Sequence, residues 1–245
     1  MEKRISRSCM KKLSPRAFTA VTNSLLILIV ACVAIVCFYP TASPATALSD
    51  RAYYHGNSED GVSLTFNVYW GTDEVYKIMD VLEEYGAKAT FFLGGSWADD
   101  NVACVREIAS RGHELGSHGY FHKEHDKLDF EENFREIQTS VEFIKAACGV
   151  AIELFAPPSG AYSEDTVNAA EALGLKTILW SKDTIDWRDK DAALCLKRAT
   201  QNVKGGDIIL MHPMAHTVEA LPQILKSYAK KGLRAIPVGE NISAQ

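Results

Sequence analysis

From Gly61 onward the chain alternates two hydrophobic rhythms. Val62-Ser63-Leu64-Thr65-Phe66 switches apolar and polar with the period of two expected of a half-buried strand. Residues Asp73 to Tyr85 then place Val75, Ile78, Met79 and Leu82 at helical spacing and stop at Gly86. The couplet recurs. Further strands are predicted at residues 89–93, 114–117, 153–156, 176–180, 207–211 and 234–236, with helical spacing in the gaps. The clearest helix starts at Asp129 and stops at Gly149. Asp129 and Glu132 have capping-box spacing, and Phe130, Phe134, Ile137, Val141 and Ile144 share one face. About seven strands alternating with about six helices imply parallel β/α units, in an open doubly wound sheet or a closed barrel. In either arrangement, chemistry gathers just beyond the C-terminal ends of the strands.

Before Gly61 the rhythm is different. Residues 1–16 carry Lys3, Arg4, Arg7, Lys11, Lys12 and Arg16, and residues 17–39 carry no charge, with an almost purely apolar core from Leu25 to Phe38. At about 1.5 Å per residue this uncharged run just crosses a hydrocarbon layer of roughly 30 Å. It reads as a transmembrane anchor, or as a signal peptide followed by the small-residue run Ala45-Thr46-Ala47. Both readings keep the basic end in the cytoplasm and place the body of the chain in an extracytoplasmic location. Residues 40–60 are small and polar and read as a linker, residues 61–238 as the folded domain, and residues 239–245 as a tail.

Charge narrows the partners. With the N-terminal six removed, 20 basic residues face 30 acidic ones, a formal charge of about −10. So acidic a body argues against nucleic acid and against a basic patch for anionic lipid. Its three cysteines, Cys104, Cys148 and Cys195, are odd in number and lack CxxC spacing, so they read as small core residues with at most one bridge.

The predicted strand at 114–117 runs directly into Ser117-His118-Gly119-Tyr120-Phe121-His122. Two imidazoles four apart can face one point if the turn between them is helical, and imidazole is a common ligand of divalent ions. Other polar or aromatic groups occupy strand ends in the same way. They are Asn67-Val68-Tyr69-Trp70-Gly71, Ala156-Pro157-Pro158-Ser159-Gly160, Asp183-Thr184-Ile185-Asp186-Trp187 and Leu210-Met211-His212. His113 reads as a hydrogen-bonded structural histidine and His216 as a surface one. Trp180 and Trp187 have core packing as their simpler reading.

In order and spacing these segments resemble the five motifs of the NodB-type polysaccharide deacetylases, carbohydrate esterase family 4, over roughly residues 61–238. Thr65-Phe66-Asn67-Val68 is similar to the family's Thr-Phe-Asp-Asp, the 118–122 segment to His-(Ser/Thr)-x-x-His, and residues 156–160 to Arg-x-Pro-Tyr-Gly. Asp186-Trp187 and Leu210-Met211-His212 match the last two, and Trp70-Gly71 resembles the sporulation-associated, peptidoglycan-directed branch. The resemblance implies a distorted (β/α) barrel of about seven parallel strands. It implies a metal-dependent hydrolysis that removes N-acetyl groups from an amino-sugar glycan such as peptidoglycan. The divalent ion would be zinc, with cobalt or manganese as substitutes, held by His118 and His122. His212 would be the general acid and Asp186 the carboxylate that orients it. Trp187 and Leu210 would wall the acetyl group, and the Ser159 main-chain N–H would face the oxyanion.

The chain departs from the family at three positions. The base aspartate is Asn67, whose neutral carboxamide takes no proton at ordinary pH. The metal-binding aspartate is Val68, and the arginine that holds the base is Ala156. Either a substitute base serves the site, with Asp73, Glu74 and Asp183 as the nearby carboxylates, or the domain binds cell-wall glycan without turning it over.

Overall fold

The computed structural model describes residues 21–30 and 47–244. The chain divides into two compact units, Met1–Ala45 and Thr46–Gln245. In the first, residues 21–30 form a helix, α1, with Leu25, Leu26, Ile27 and Leu28 exposed. The rest of the basic and uncharged segments at 1–16 and 17–39 lies outside the described residues. Among the described residues no helix is long and apolar enough to cross a membrane.

The second unit is built on nine strands: β1 Ala52–Tyr53, β2 Gly61–Val68, β3 Thr90–Leu93, β4 Glu114–Ser117, β5 Leu154–Phe155, β6 Lys176–Ile178, β7 Lys182–Asp183, β8 Ile208–Met211 and β9 Arg234–Ala235. Their order is β1-β6-β5-β4-β3-β2-β8-β7, with β9 on the start of β2, and every ladder is parallel. All seven predicted strands are present. The sheet curls into a half-barrel, the distorted (β/α) barrel that the motif order implies. Residues 176–183 explain how its two edges meet. They pair with β5 at their start and β8 at their end, so residues 179–181 carry the chain from β6, next to the β1 edge, to β7 at the opposite edge.

Six longer helices flank the sheet: α2 Asp73–Glu84, α4 Val102–Ser110, α5 Phe130–Cys148, α6 Glu164–Ala172, α8 Ala192–Thr200 and α9 Ala215–Lys230. Three short ones are α3 Gly95–Asp100, α7 Asp186–Asp189 and α10 Val238–Ser243. β2 shows how period two divides labour. Val62, Leu64, Phe66 and Val68 join the main hydrophobic cluster with Val75, Ile78, Met79 and Leu82 of α2 and Leu221 and Ile224 of α9. Ser63, Thr65 and Asn67 take the opposite face, and all eight residues of the strand are buried. A strand covered on both sides is what a parallel sheet under helices requires.

Two boundaries differ from the sequence reading. β1 lies in the stretch read as linker, yet it pairs with β6 through Ala52 and Tyr53, so the compact unit reaches back before Gly61. The stretch read as a tail forms most of α10, which closes the N-terminal end of the barrel. Its Val238 N–H donates to Thr90 Oγ1 at 2.9 Å, its Gly239 N–H to Glu114, and its Asn241 Nδ2 to Ser63 Oγ at 3.0 Å.

The helix α5 has the capping box read from its sequence: Glu132 N–H donates to Asp129 Oδ1 at 2.9 Å, and Glu132 Oε2 accepts the Asp129 N–H. Gly149 stops it at φ 75°. Its buried face is not the apolar one expected. Ile137 and Ile144 are buried, but Phe130, Phe134 and Val141 are only half-buried, and Asn133, Glu136 and Ser140 are buried beside the isoleucines. Those three polar side chains serve the site. The cysteines Cys104, Cys148 and Cys195 are all free, without a bridge.

Candidate active site

A cavity of about 280 Å³ opens at the C-terminal ends of the strands. Seven of the eight residues singled out from the sequence line it: Asn67, His118, His122, Ser159, Trp187, Leu210 and His212. The eighth, Asp186, is 1% exposed and lies behind His212. Trp70, Trp180 and Asp183 complete the lining.

His118 follows β4 and is 2% exposed. Its Nδ1–H donates to the Ala156 carbonyl at 2.7 Å, which fixes the ring and leaves the Nε2 lone pair free. Burial, with His122 alongside, pushes its pKa down to about 3, and burial lowers that of His122 as well. Both rings are therefore neutral at pH 7 and able to act as nitrogen donors. Their centroids lie 5.1 Å apart. His122 takes a left-handed backbone, φ 54°, and its ring packs on Tyr69.

The turn between the histidines hangs from α5. Tyr120 and Phe121 both donate their N–H to Glu136 Oε2, at 3.1 and 2.9 Å, and Lys123 Nζ pairs with Glu136 Oε1 at 3.0 Å. Ser140 accepts from Ser117 Oγ, and Asn133 Oδ1 accepts from His125 Nδ1–H at 2.6 Å. Gly119 needs its lack of a side chain on two counts. Its φ is 70°, and a Cβ there would stand 2.8 Å from His125 Nε2. Sequence reasoning missed Glu136 and Asn133, because a polar stripe on an exposed-looking helix carries no signal of its own, and it missed His125, which lies in the loop before that helix.

On the opposite side, α7 and the residue after β8 bring a carboxylate and an imidazole together. Asp186 Oδ1 accepts from His212 Nδ1–H and the Trp187 N–H, both at 2.8 Å. Its Oδ2 accepts the His212 N–H and the Thr217 hydroxyl, both at 2.7 Å. Burial pushes the Asp186 carboxyl up, but these bonds outweigh it and hold the group below its ordinary value. It is thus an anion at neutral pH, and it leaves His212 Nε2 free. His216 was read as a surface residue, but it is half-buried, and its Nε2–H donates to the Asp186 carbonyl at 2.7 Å. Trp70 stacks nearly parallel on His212, 6.1 Å between centroids. Ser159 sits at φ 58° beside Gly160, where a Cβ would press to 2.7 Å from Trp180.

The three positions at which the chain departs from the resemblance have distinct surroundings. Asn67 is 5% exposed, and its Oδ1 is buried without a hydrogen-bond partner. Val68 is fully buried among apolar side chains of the main cluster. The Ala156 carbonyl accepts from His118, and its methyl group packs in a hydrophobic cluster with Phe92 and Leu154. Two neutral imidazoles that face one cavity fit a divalent ion as two of its ligands. A carboxylate third ligand is missing, and among the described residues no three His, Cys, Asp or Glu side chains gather to hold a metal. Two uncharged donors leave the ion's charge uncompensated, so affinity falls well below that of a three-ligand centre.

The family model described as polysaccharide deacetylase matches residues 55–178. The chain is 33% identical to the uncharacterized protein YlxY of Bacillus subtilis, across 76% of this chain and 59% of that protein. It is 31% identical to a peptidoglycan-N-acetylglucosamine deacetylase of Bacillus cereus, across 75% of this chain and 89% of the relative. Among solved structures, a CE4 family pseudoenzyme from Bacillus anthracis superposes with a TM-score of 0.76 at 32% identity, covering 82% of this chain and 73% of the other. A mutant of that pseudoenzyme with restored enzymatic activity superposes equally well, at 31% identity and with 82% and 75% coverage. With the motifs in order on one cavity, and with half the chain matched to the family model, this protein belongs to the polysaccharide deacetylase family.

Proposed function

We propose that this chain is a carbohydrate N-deacetylase acting on an N-acetylated glycan of the peptidoglycan type. The observation that carries the reading is the Asp186–His212 pair, held by four hydrogen bonds with His212 Nε2 left free at the cavity. An imidazole oriented by a buried anion is placed to give a proton to a departing amine. Trp187 and Leu210 wall the acetyl group, and the main-chain N–H of Ser159 faces the oxyanion that develops on its oxygen. His118 and His122 would hold a divalent ion, zinc foremost and cobalt or manganese in its place, and the ion would supply polarisation of the acetyl carbonyl. Trp70, Trp180 and Trp187 supply aromatic faces for sugar rings.

A second reading, glycan binding without turnover, is favoured by the substitutions at Asn67, Val68 and Ala156. They remove the family's base, its carboxylate ligand and its clamp together. Acetate release from N-acetylglucosamine oligomers and from peptidoglycan, with zinc or cobalt added, separates the two. Release supports the deacetylase. Saturable glycan binding with no release under any metal rejects it in favour of the second reading. Asn67→Asp with Ala156→Arg then tests whether those positions caused the silence.

We also propose that the body works outside the cytoplasm, anchored or released after residues 17–39. The basic start and the uncharged run that follows it support this placement. The Trp70-Gly71 pair further supports a sporulation-associated role. Protease accessibility of the body in intact cells tests the location.

A further inference from the structure

Hydrolysis in this pocket needs a group to take a proton from water, and Asn67 does not. Three acidic side chains stand near the motifs in sequence, Asp73, Glu74 and Asp183. Asp73 and Glu74 lie in the first turn of α2 and do not line the cavity, and Glu74 faces Lys77 across 3.9 Å. Asp183 does line it, and it is the one carboxylate among the lining residues.

The local structure prepares this side chain. Asp183 ends β7 and pairs in register with Leu210 of β8, two residues before His212. Its Oδ1 accepts the Ile185 N–H at 2.7 Å, which sets the rotamer. Its Oδ2 has no hydrogen-bond partner within the described chain. Asp186, by contrast, has both oxygens engaged by four donors, which leaves it no capacity for a water.

We infer that Asp183 is the general base of this pocket, taking the proton of the attacking water through its free Oδ2. The inference rests on the deacetylase reading. The water gives one proton to Asp183, and its oxygen forms the bond to the acetyl carbonyl carbon. The C–N bond then breaks, its electron pair stays on nitrogen, and that nitrogen takes a proton from His212 Nε2. Acetic acid and a free amine leave, the acid giving the water's second proton to solvent to become acetate, and Asp183 returns its proton to solvent as His212 regains one. The environment suits the task. Burial raises the Asp183 carboxyl above its ordinary value, against the Ile185 N–H and the nearby His212, with Asp186 adding to the rise and Arg198 opposing it. A more basic carboxylate accepts a proton from water more readily.

Asp183→Asn tests this, because the carboxamide oxygen can still accept the Ile185 N–H, so the turn is kept. The full chain is assayed for acetate release from N-acetylglucosamine oligomers and, separately, for binding of the same oligomers by calorimetry. The expected result is a fall in release on the order of 100-fold or more, with the dissociation constant unchanged within about threefold. Release by Asp183→Asn at the unsubstituted rate overturns the inference and leaves the deacetylase reading standing. No release by the unsubstituted chain, with binding intact, defeats both. A variant that loses binding and release together also overturns it, since Asp183 then holds the sugar instead of the water's proton.

Discussion

Removing the Glu136 carboxylate should loosen the histidine turn and cost measurable stability, in an order the geometry fixes. One oxygen, Oε2, accepts both the Tyr120 and the Phe121 N–H, and the other faces Lys123. Glu136→Ala strands two main-chain donors, each worth about 1–3 kcal/mol when left unpaired. Phe121 is exposed and Tyr120 half-buried, so water recovers part of this, and the lower half of the range applies. The expected loss is about 2–4 kcal/mol. Glu136→Gln can place its single carbonyl oxygen where Oε2 stands, which keeps both donors satisfied. It loses the pair with the half-exposed Lys123 and the strength of a charged acceptor, about 1 kcal/mol together. With a urea dependence of about 2 kcal/mol per molar, the alanine variant's midpoint should fall by about 1–2 M and the glutamine variant's by about 0.5 M. Equal shifts in the two variants, or an alanine shift below about 0.3 M, would refute the claim that one carboxylate oxygen carries the turn.

Three further predictions follow from the site and the core. Asp186→Asn should lower acetate release by about 100-fold or more, because the amide nitrogen takes the place of an oxygen that accepts two of the four donors and His212 loses its anion; release within threefold of the unsubstituted chain would contradict the assigned acid pair. Val68→Asp should lower the melting temperature in the absence of metal, since it buries a carboxylate among apolar side chains. Added zinc should raise it by more than in the unsubstituted chain, and equal zinc shifts would show that position 68 does not reach the histidines. His113 is buried, and burial, aided by Lys88 and Arg111, depresses its pKa to about 4. For a histidine lowered in the folded state, the stabilising contribution is full above about pH 6.5 and fades as pH falls toward 4. Urea midpoints should therefore drop between pH 7 and pH 5, on the order of 2 kcal/mol from this group, and the drop should shrink in His113→Asn.

Much of this was legible in the sequence because parallel β/α units repeat a simple pattern. Seven strands could be read, and the rule that chemistry gathers at their C-terminal ends brought Asn67, His118, Ser159, Trp187 and His212 to one cavity. What escaped was short or polar. β1 is two residues inside a small, polar stretch, and β7, Lys182-Asp183, has no apolar member. α5 looked like an ordinary amphipathic helix, and its apolar stripe pointed to Phe130, Phe134 and Val141. The helix turns partly away from that stripe, and Asn133, Glu136 and Ser140 accept from His125 Nδ1–H, from the Tyr120 and Phe121 N–H groups and from the Ser117 hydroxyl. The same limit applied to the carboxylates. Asp73, Glu74 and Asp183 are alike as letters, and only the pairing of β7 with β8 separates the one that reaches the cavity.

The bond from His118 to the carbonyl of residue 156 has a consequence for how such a chain can change over generations. A carbonyl is supplied by whatever amino acid occupies the position, so exchanging arginine for alanine there leaves the ring's aim untouched. Asn67 is close in size to the aspartate of the family motif that its segment resembles. At these two places reactivity can be lost, and regained, with little selection acting through folding. Shape then records descent faithfully while saying little about turnover, and an assay of a few side chains has to decide what each member of the family still does.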